Sequence, residues 1–191
     1  MRKAKLSRKT KETEIVMELN LDGSGKREIS TGIGFFDHML DLLVVHGGLD
    51  ITLACKGDLA VDGHHTVEDI GIVLGQLIAK ALGDKAGIER YACSYVPMDE
   101  VLVRTVIDIS GRPLLVYGAD ISGKTGDFEA ELVEEFFRAV VTHSHISCHI
   151  DVIRGGNLHH TIEGIFKSFA RAVRTAAKVT GKDIPSSKGV L

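Results

Sequence analysis

The sequence predicts an α+β fold of two duplicated half-domains, each a mainly antiparallel sheet with helices packed on one face. Three observations carry this expectation. A series of strands and helices runs once through residues 1–85 and again through residues 86–180. The segment His64-His65-x-x-Glu68 recurs as His159-His160-x-x-Glu163. When the two series are overlaid, His38 falls opposite Glu135 and His46 opposite His143, and the paired segments coincide after a two-residue gap. Ala86-Gly87-Ile88 forms the seam, and residues 181–191 form a polar tail. A chance echo of two helices is the alternative, but the match includes rare residues as well as apolar periodicity.

Each element has its own signal. The basic stretch Met1–Lys9 reads as a solvated first strand. Glu14–Asn20 alternates apolar and polar residues as a strand does. Leu21–Lys26 is a turn cluster; a glycine-rich phosphate loop is the sharper reading, but no helix start follows it directly. Phe35–Val45 is a helix, because Phe36, Met39, Leu40 and Leu43 recur at helical spacing. Ile51–Lys56 is a strand. His64–Leu82 is a helix with apolar Ile70, Val73, Leu74, Leu77 and Ile78. In the second series Val101–Ile109 and Leu114–Gly118 are strands around the turn Gly111-Arg112-Pro113. Glu131–Val141 is a helix and Ser147–Ile153 a strand. Asn157–Val179 is a helix, apolar at Ile162, Ile165, Phe166 and Phe169.

Composition narrows the function classes. The 191 residues carry a formal net charge of −3 and no Trp, which speaks against a nucleic-acid binder with a basic stripe and stacking aromatics. No apolar core follows the basic N-terminal stretch, so it does not read as a signal peptide. No apolar run approaches the roughly 18 residues needed to span a bilayer. The 3 cysteines, Cys55, Cys93 and Cys148, are odd in number and far apart. They point to a reducing cytoplasm and to buried small hydrophobes rather than a disulfide framework.

The 9 histidines are the unusual feature, since most fall in tight clusters. Imidazole and carboxylate together suit borderline first-row metals such as Mn, Fe and Zn. On a helix, residue i+4 lies about 40° round from i, and i+1 about 100° round. Glu68 therefore projects between His64 and His65, and Glu163 between His159 and His160. One segment can give two ligands to one metal and a third to a neighbouring metal. With His38 and Glu135 at corresponding places in the repeat, eight candidate ligands serve two metals. A surface His-His pair at a helix start is the plainer reading of either segment alone; the duplication with Glu at the same offset favours metal. His46, His143, His145 and His149 read as packing or supporting groups.

Phe35-Phe-Asp-His-Met-Leu-Asp41, Asp62-Gly-His-His-Thr-Val-Glu-Asp69, Pro97-Met-Asp-Glu100, Ser110-Gly-Arg-Pro113, Asn157-Leu-His-His160 and the tail Pro185-Ser-Ser-Lys-Gly-Val-Leu191 together resemble the imidazoleglycerol-phosphate dehydratase family, in order and over essentially the whole chain. The resemblance implies a hydro-lyase of histidine biosynthesis with a duplicated half-domain fold and two Mn²⁺ per active site. It also implies a large homo-oligomer of octahedral symmetry, a 24-mer, with sites at subunit interfaces. Its ligand motifs fall on His38, His64, His65, Glu68, His159, His160 and Glu163. Glu135 stands where the family often has His, Gly63 where Asp is common, and Leu42 where Gln is common. Substrate and phosphate contacts fall on Glu12, Arg90, Arg112, Lys167, Ser186 and Lys188, which makes residues 181–191 a substrate-contacting tail. Arg forks, Lys charge and hydroxyl donors suit a phosphate dianion.

The expected reaction takes imidazole glycerol phosphate to imidazole acetol phosphate. A metal on the ring nitrogen helps the ring lose its N–H proton, the imidazolate expels the hydroxyl, and a diazafulvene-like intermediate loses a C–H proton to give an enol and then the ketone. Glu163 and Glu12 are the candidate proton carriers, and no organic cofactor is expected. Two rival classes remain: a metal-dependent hydrolase of a phosphorylated small molecule, and a non-catalytic metal-storage oligomer, against which the phosphate-contact set speaks.

Overall fold

Alternation of apolar and polar side chains builds the first sheet. The computed structural model describes residues 2–191; Met1, which opens the basic stretch, lies outside the described residues. β1 (Lys3–Lys9) and β2 (Thr13–Asn20) form an antiparallel hairpin, with Lys3 opposite Asn20 and Lys9 opposite Glu14. β2 buries Ile15, Met17 and Leu19 and turns Glu14, Val16 and Glu18 outward. The lysines of β1 are solvated, with Lys9 2.7 Å from Glu14 and Lys5 3.9 Å from Glu18, whereas Arg8 is half-buried and reaches the buried Asp69 at 2.8 Å. β3 (Arg27–Ser30) follows, and after helix α1 (Gly34–Gly47) comes β4 (Asp50–Gly57). The sheet order is β1-β2-β4-β3, antiparallel except for the β3–β4 pair. Between β2 and β3, the Asp50 carboxylate accepts from the amides of Ser24 (2.7 Å) and Lys26 (3.0 Å). The amides that would have cradled a phosphate in this turn thus hold a side chain of the chain itself.

Helix α2 (His64–Leu82) leads to the second sheet. Its strands are β5 (Tyr91–Met98), β6 (Val101–Asp108), β7 (Leu114–Gly118) and β10 (Ser147–Arg154), in the order β5-β6-β10-β7. This is the order of the first sheet repeated, with β7 parallel to β10 as β3 is to β4. A two-residue ladder, β8 (Lys124–Thr125) with β9 (Phe128–Glu129), precedes helix α3 (Glu131–Ser144), and α4 (Leu158–Ala176) follows β10.

Each sheet is covered by its own long helix, α2 on β1 and β2, α4 on β5 and β6. The helices then pack across the repeat: α2 against α3, and α1 against α4. The helices lie between the sheets, and one continuous core runs through both halves. Its centre is aromatic. Phe136 on α3 stacks on Phe166 of α4 (5.4 Å) and meets Phe36 of α1 edge-on (5.3 Å). The α2–α3 crossing is close because Gly71 and Gly75 carry no Cβ. A methyl at 71 would lie 2.8 Å from the Phe136 carbonyl oxygen, and one at 75 would lie 2.5 Å from that of Val140.

Two expectations need correction. Cys148 is buried, but Cys55 is half-buried and Cys93 is exposed, because β5 turns Cys93 to the outer face of its sheet. Burial pushes the Cys148 thiol up and the Cys55 thiol up to about 11, the behaviour of inert thiols. His145 and His149 do not pack inside. His145 caps α3 in the left-handed region (φ 55°), and His149 lies on the outer face of β10; both are exposed. No helix among the described residues is long and apolar enough to cross a membrane.

Candidate metal centre

The helical spacing of the paired segments decides which ligands meet. On α4, His159 Nε2 lies 3.3 Å from Glu163 Oε2, one turn along the same face. α1 packs on α4 and brings in His38, whose Nε2 is 3.7 Å from the same carboxylate oxygen. The ligand atoms of His38, His159 and Glu163 all fall within 4.8 Å of one another. Two imidazoles and a carboxylate are a donor set that fits Mn, Fe or Zn. Phe35 meets the His159 ring edge-on at 5.1 Å and restricts its swing.

Glu163 is the buried member, with its side chain 10% exposed. Its other oxygen accepts a hydrogen bond from Lys167 Nζ, and Lys167 also reaches Met98 Sδ at 3.7 Å. Burial pushes the Glu163 carboxyl up. The hydrogen bond and charge of Lys167, with His38 and His159, outweigh it and leave the group below the ordinary glutamate value. His46, half-buried at the end of α1, faces Lys167 and Arg171; burial and these charges hold its imidazole below the ordinary value.

The equivalent centre of the first repeat is more open. His64 and Glu68 face each other at 4.0 Å, both more than 40% exposed. Glu135 is half-buried on α3 and leans on Arg138 at 3.8 Å. The structure does not group it with His64 and Glu68 as it groups His38 with His159 and Glu163. Gly63, at the start of α2, is packed in: a Cβ there would lie 3.2 Å from Ile33 Cδ1 and 3.3 Å from Leu132 Cδ1. Asp62 accepts from the His64 amide at 2.8 Å, and the N-cap residue Gly63 has no side chain to cap the next amides. Leu42 packs against the core.

The second histidine of each segment turns away. The 100° step round a helix sends it to a different side from its neighbour, and the ring planes lie at 82° for His159 and His160 and 81° for His64 and His65. His160 points to the β5–β6 turn, where its Nδ1 lies 3.1 Å from Glu100 and 3.9 Å from Asp99. His65 lies between the loop after β4, where its Nδ1 is 3.0 Å from Asp58, and the β1–β2 turn, where its Nε2 is 3.8 Å from Glu12. Asp58, Asp99 and Glu100 were not singled out by spacing, although Asp99 and Glu100 lie in a quoted motif. Nothing local in sequence says that a loop carboxylate will meet the second histidine of a segment, 7 residues on for Asp58 and 60 for Glu100.

The remaining substrate-contact candidates divide into two places. Lys167 sits at the α4 centre. Arg90, Arg112, Ser186 and Lys188 belong to the far end of the second sheet, beyond the eight residues of β5, which extend about 25 Å. Arg90 is tightly held there: Nε donates to Asp108 (2.8 Å) and Nη1 to the Pro185 carbonyl (2.8 Å), tying the tail to the sheet. Arg112 is exposed in its turn, with its carbonyl accepting from Ser147 Oγ at 3.0 Å. Ser186 Oγ accepts from the Lys188 amide at 3.2 Å, and the Lys188 side chain is exposed. Leu191 lies beside the same turn, since a Cβ on Gly111 would lie 2.9 Å from the Leu191 backbone carbonyl carbon.

Comparison with known proteins gives a consistent result. The family profile described as imidazoleglycerol-phosphate dehydratase matches residues 31–173. An imidazoleglycerol-phosphate dehydratase of Exiguobacterium sp. is 58% identical over 191 residues, covering 99% of this chain and 98% of that protein. One of Thermodesulfovibrio yellowstonii is 52% identical, with 100% of both chains covered. Among solved structures, imidazoleglycerol-phosphate dehydratase of Staphylococcus aureus superposes with a TM-score of 0.85 at 46% identity, covering 93% of this chain and 99% of that one. The enzyme of Pyrococcus furiosus, solved in complex with (S)-C348, also gives 0.85, at 33% identity, covering 97% of this chain and 100% of that one.

Proposed function

The chain belongs to the imidazoleglycerol-phosphate dehydratase family, and from that premise we propose that it dehydrates imidazole glycerol phosphate to imidazole acetol phosphate in histidine biosynthesis, in the cytoplasm, with two divalent metal ions at each active site. The single observation that carries the metal reading is the convergence of His38, His159 and Glu163 on one point. His64, Glu68 and Glu135 are the corresponding set of the other repeat. His65 and His160, turned away from both, supply the remaining ligands. Mn²⁺ is the ion this mixed imidazole and carboxylate set is proposed to hold.

Bound metals would make the ring N–H of the substrate more acidic and orient the ring. The ring anion expels the neighbouring hydroxyl, which takes up a proton from a carboxylic acid side chain and leaves as water. The diazafulvene-like species then loses its C–H proton to a carboxylate while a ring nitrogen regains one, giving an enol, which becomes the ketone. This chain's part is to carry protons and hold the phosphate. Glu12, exposed on the β1–β2 turn beside His65, is free to take a proton from substrate. Glu163 is the second candidate, and its pairing with Lys167 suits it to hold charge. Arg90, Arg112, Ser186 and Lys188 lie together at one end of the second sheet, with Lys167 at the other. They are proposed to clamp the phosphate, with residues 181–191 as the contacting tail. No organic cofactor is called for.

The separation of these clusters along one chain supports sites shared between subunits of a large homo-oligomer, with an octahedral 24-mer as the proposed form. Half-domains over 1–85 and 86–180 remain the proposed division. The test is an anaerobic assay of metal-depleted protein with and without added Mn²⁺, following ketone formation from imidazole glycerol phosphate. Activity should appear only with metal. Full turnover in a sample shown metal-free by elemental analysis would end the metalloenzyme reading, and turnover of simple phosphate esters would favour a hydrolase.

A further inference from the structure

The two histidines that turn away from the paired centres each carry a carboxylate on Nδ1. For His160 this is Glu100, and the contact is built from several directions. Glu100 sits on the two-residue turn between β5 and β6. Its Oε2 lies 3.1 Å from His160 Nδ1, while Oε1 accepts from the Asn157 amide at 2.6 Å. Asn157 is the N-cap of α4, and its side chain accepts from the His160 amide at 3.3 Å. A Cβ on residue 156 would overlap the Glu100 carboxylate, so Gly156 leaves the space this side chain occupies.

For His65 the partner is Asp58, in the loop after β4. Its two oxygens lie 3.0 and 3.3 Å from Nδ1. The repeat does not generate this likeness. Asp58 follows a central strand, whereas Glu100 lies at the tip of a hairpin, where the first half carries Glu12 instead. Two unrelated loops therefore put a carboxylate on the same atom of equivalent histidines. A carboxylate that accepts from Nδ1–H fixes the tautomer, fixes the ring plane and leaves the Nε2 lone pair free.

We propose that Glu100 and Asp58 are positioning residues, which hold His160 and His65 with the proton on Nδ1 so that Nε2 faces outward to bind a divalent metal. The proposal rests on the ligand reading above. Glu100 and Asp99 stand close enough to His160 to make a ligand group of their own. Both oxygens of Glu100 are already engaged, however, one by the α4 cap and one by the imidazole.

The test is a double-mutant cycle read in Mn²⁺ affinity, measured on the metal-depleted full-length protein by competition with a chelator. Glu100→Ala should weaken Mn²⁺ binding about 10- to 100-fold. In a His160→Ala background the same change should add nothing, because Glu100 acts through that ring. Glu100→Gln keeps one acceptor oxygen and should recover part of the loss. It also serves as the folding control, with thermal melting of the metal-free protein run alongside. Asp58→Ala with His65→Ala should behave in the same way. Parent affinity in Glu100→Ala while His160→Ala loses binding overturns the positioning role and leaves the ligand set standing. Losses that multiply in the double variant also overturn it, since Glu100 would then act independently. Parent affinity in His160→Ala removes the ligand itself, and the proposal falls with it.

Discussion

At Glu163 one carboxylate serves two imidazoles on one oxygen and an ammonium on the other, so its protonation state has measurable consequences for the metal-free protein. Its folded value lies below the ordinary value of 4.5. The stabilisation is therefore fully present above that ordinary value and is lost as pH falls through the lower folded one. Glu163→Gln should cost about 1–3 kcal/mol at neutral pH, because it removes the negative charge from this bond and leaves the mostly buried Lys167 ammonium with only a neutral acceptor. The difference from parent should shrink as pH drops below about 4.5, where the parent loses the same interaction. Denaturant unfolding at several pH values measures this, and a gap that widened in acid would contradict the assignment. Residue chemistry was legible in sequence where geometry is local. The i, i+4 partner of His159 follows from helix pitch alone, and so does the outward turn of His160. The carboxylates on His65 and His160 were not legible, because their distances are set by how turns meet helix starts.

At the scale of elements, legibility followed the match between apolar pattern and burial. The bounds of α2 and β7 could be read directly, because their residues alternate or recur with the expected period. β5 was missed. It buries Ala92, Ser94 and Val96 while Tyr91 and Tyr95 face out, so its largest hydrophobic side chains sit on the wrong face for a pattern reading. β3 has four mostly polar residues on a sheet edge, and the β8–β9 ladder is too short to leave a period. The α2–α3 crossing was also invisible, since a glycine in a helix pattern does not name its neighbour. Gly75→Ala tests that crossing. Helix propensity favours alanine by about 1 kcal/mol, but the added methyl meets the Val140 carbonyl oxygen at 2.5 Å and His143 Cβ at 2.9 Å. Overpacking against backbone costs about 1–3 kcal/mol. We expect a net loss of up to about 2 kcal/mol, seen as a lower unfolding midpoint with an unchanged denaturant slope. A raised midpoint would mean that the helices part easily.

At the scale of the molecule, the repeat was legible because it includes rare residues, and the two sheets show it in their identical strand order. What sequence could not show is that helices pair across the repeat instead of within it. The proposed sharing of sites between subunits has a direct test at this scale. His38→Ala and His160→Ala each damage a different cluster, and each should inactivate the protein alone. If a site draws the two clusters from different chains, mixing the variants before reassembly should restore activity at about a quarter of sites. No recovery, with mixed assembly shown by mass spectrometry, would place both clusters of a site on one chain. The cross-repeat pairing also sets a timetable for synthesis. The face that α2 presents to α3, lined by Gly71 and Gly75, has no partner until Ser144 has been added, 62 residues after Leu82. At translation rates of about 5–20 residues per second, that face waits roughly 3–12 s on the ribosome. The first copy of the repeat cannot finish folding ahead of the second, so an ancestral single copy would have needed another chain to supply what α3 now provides.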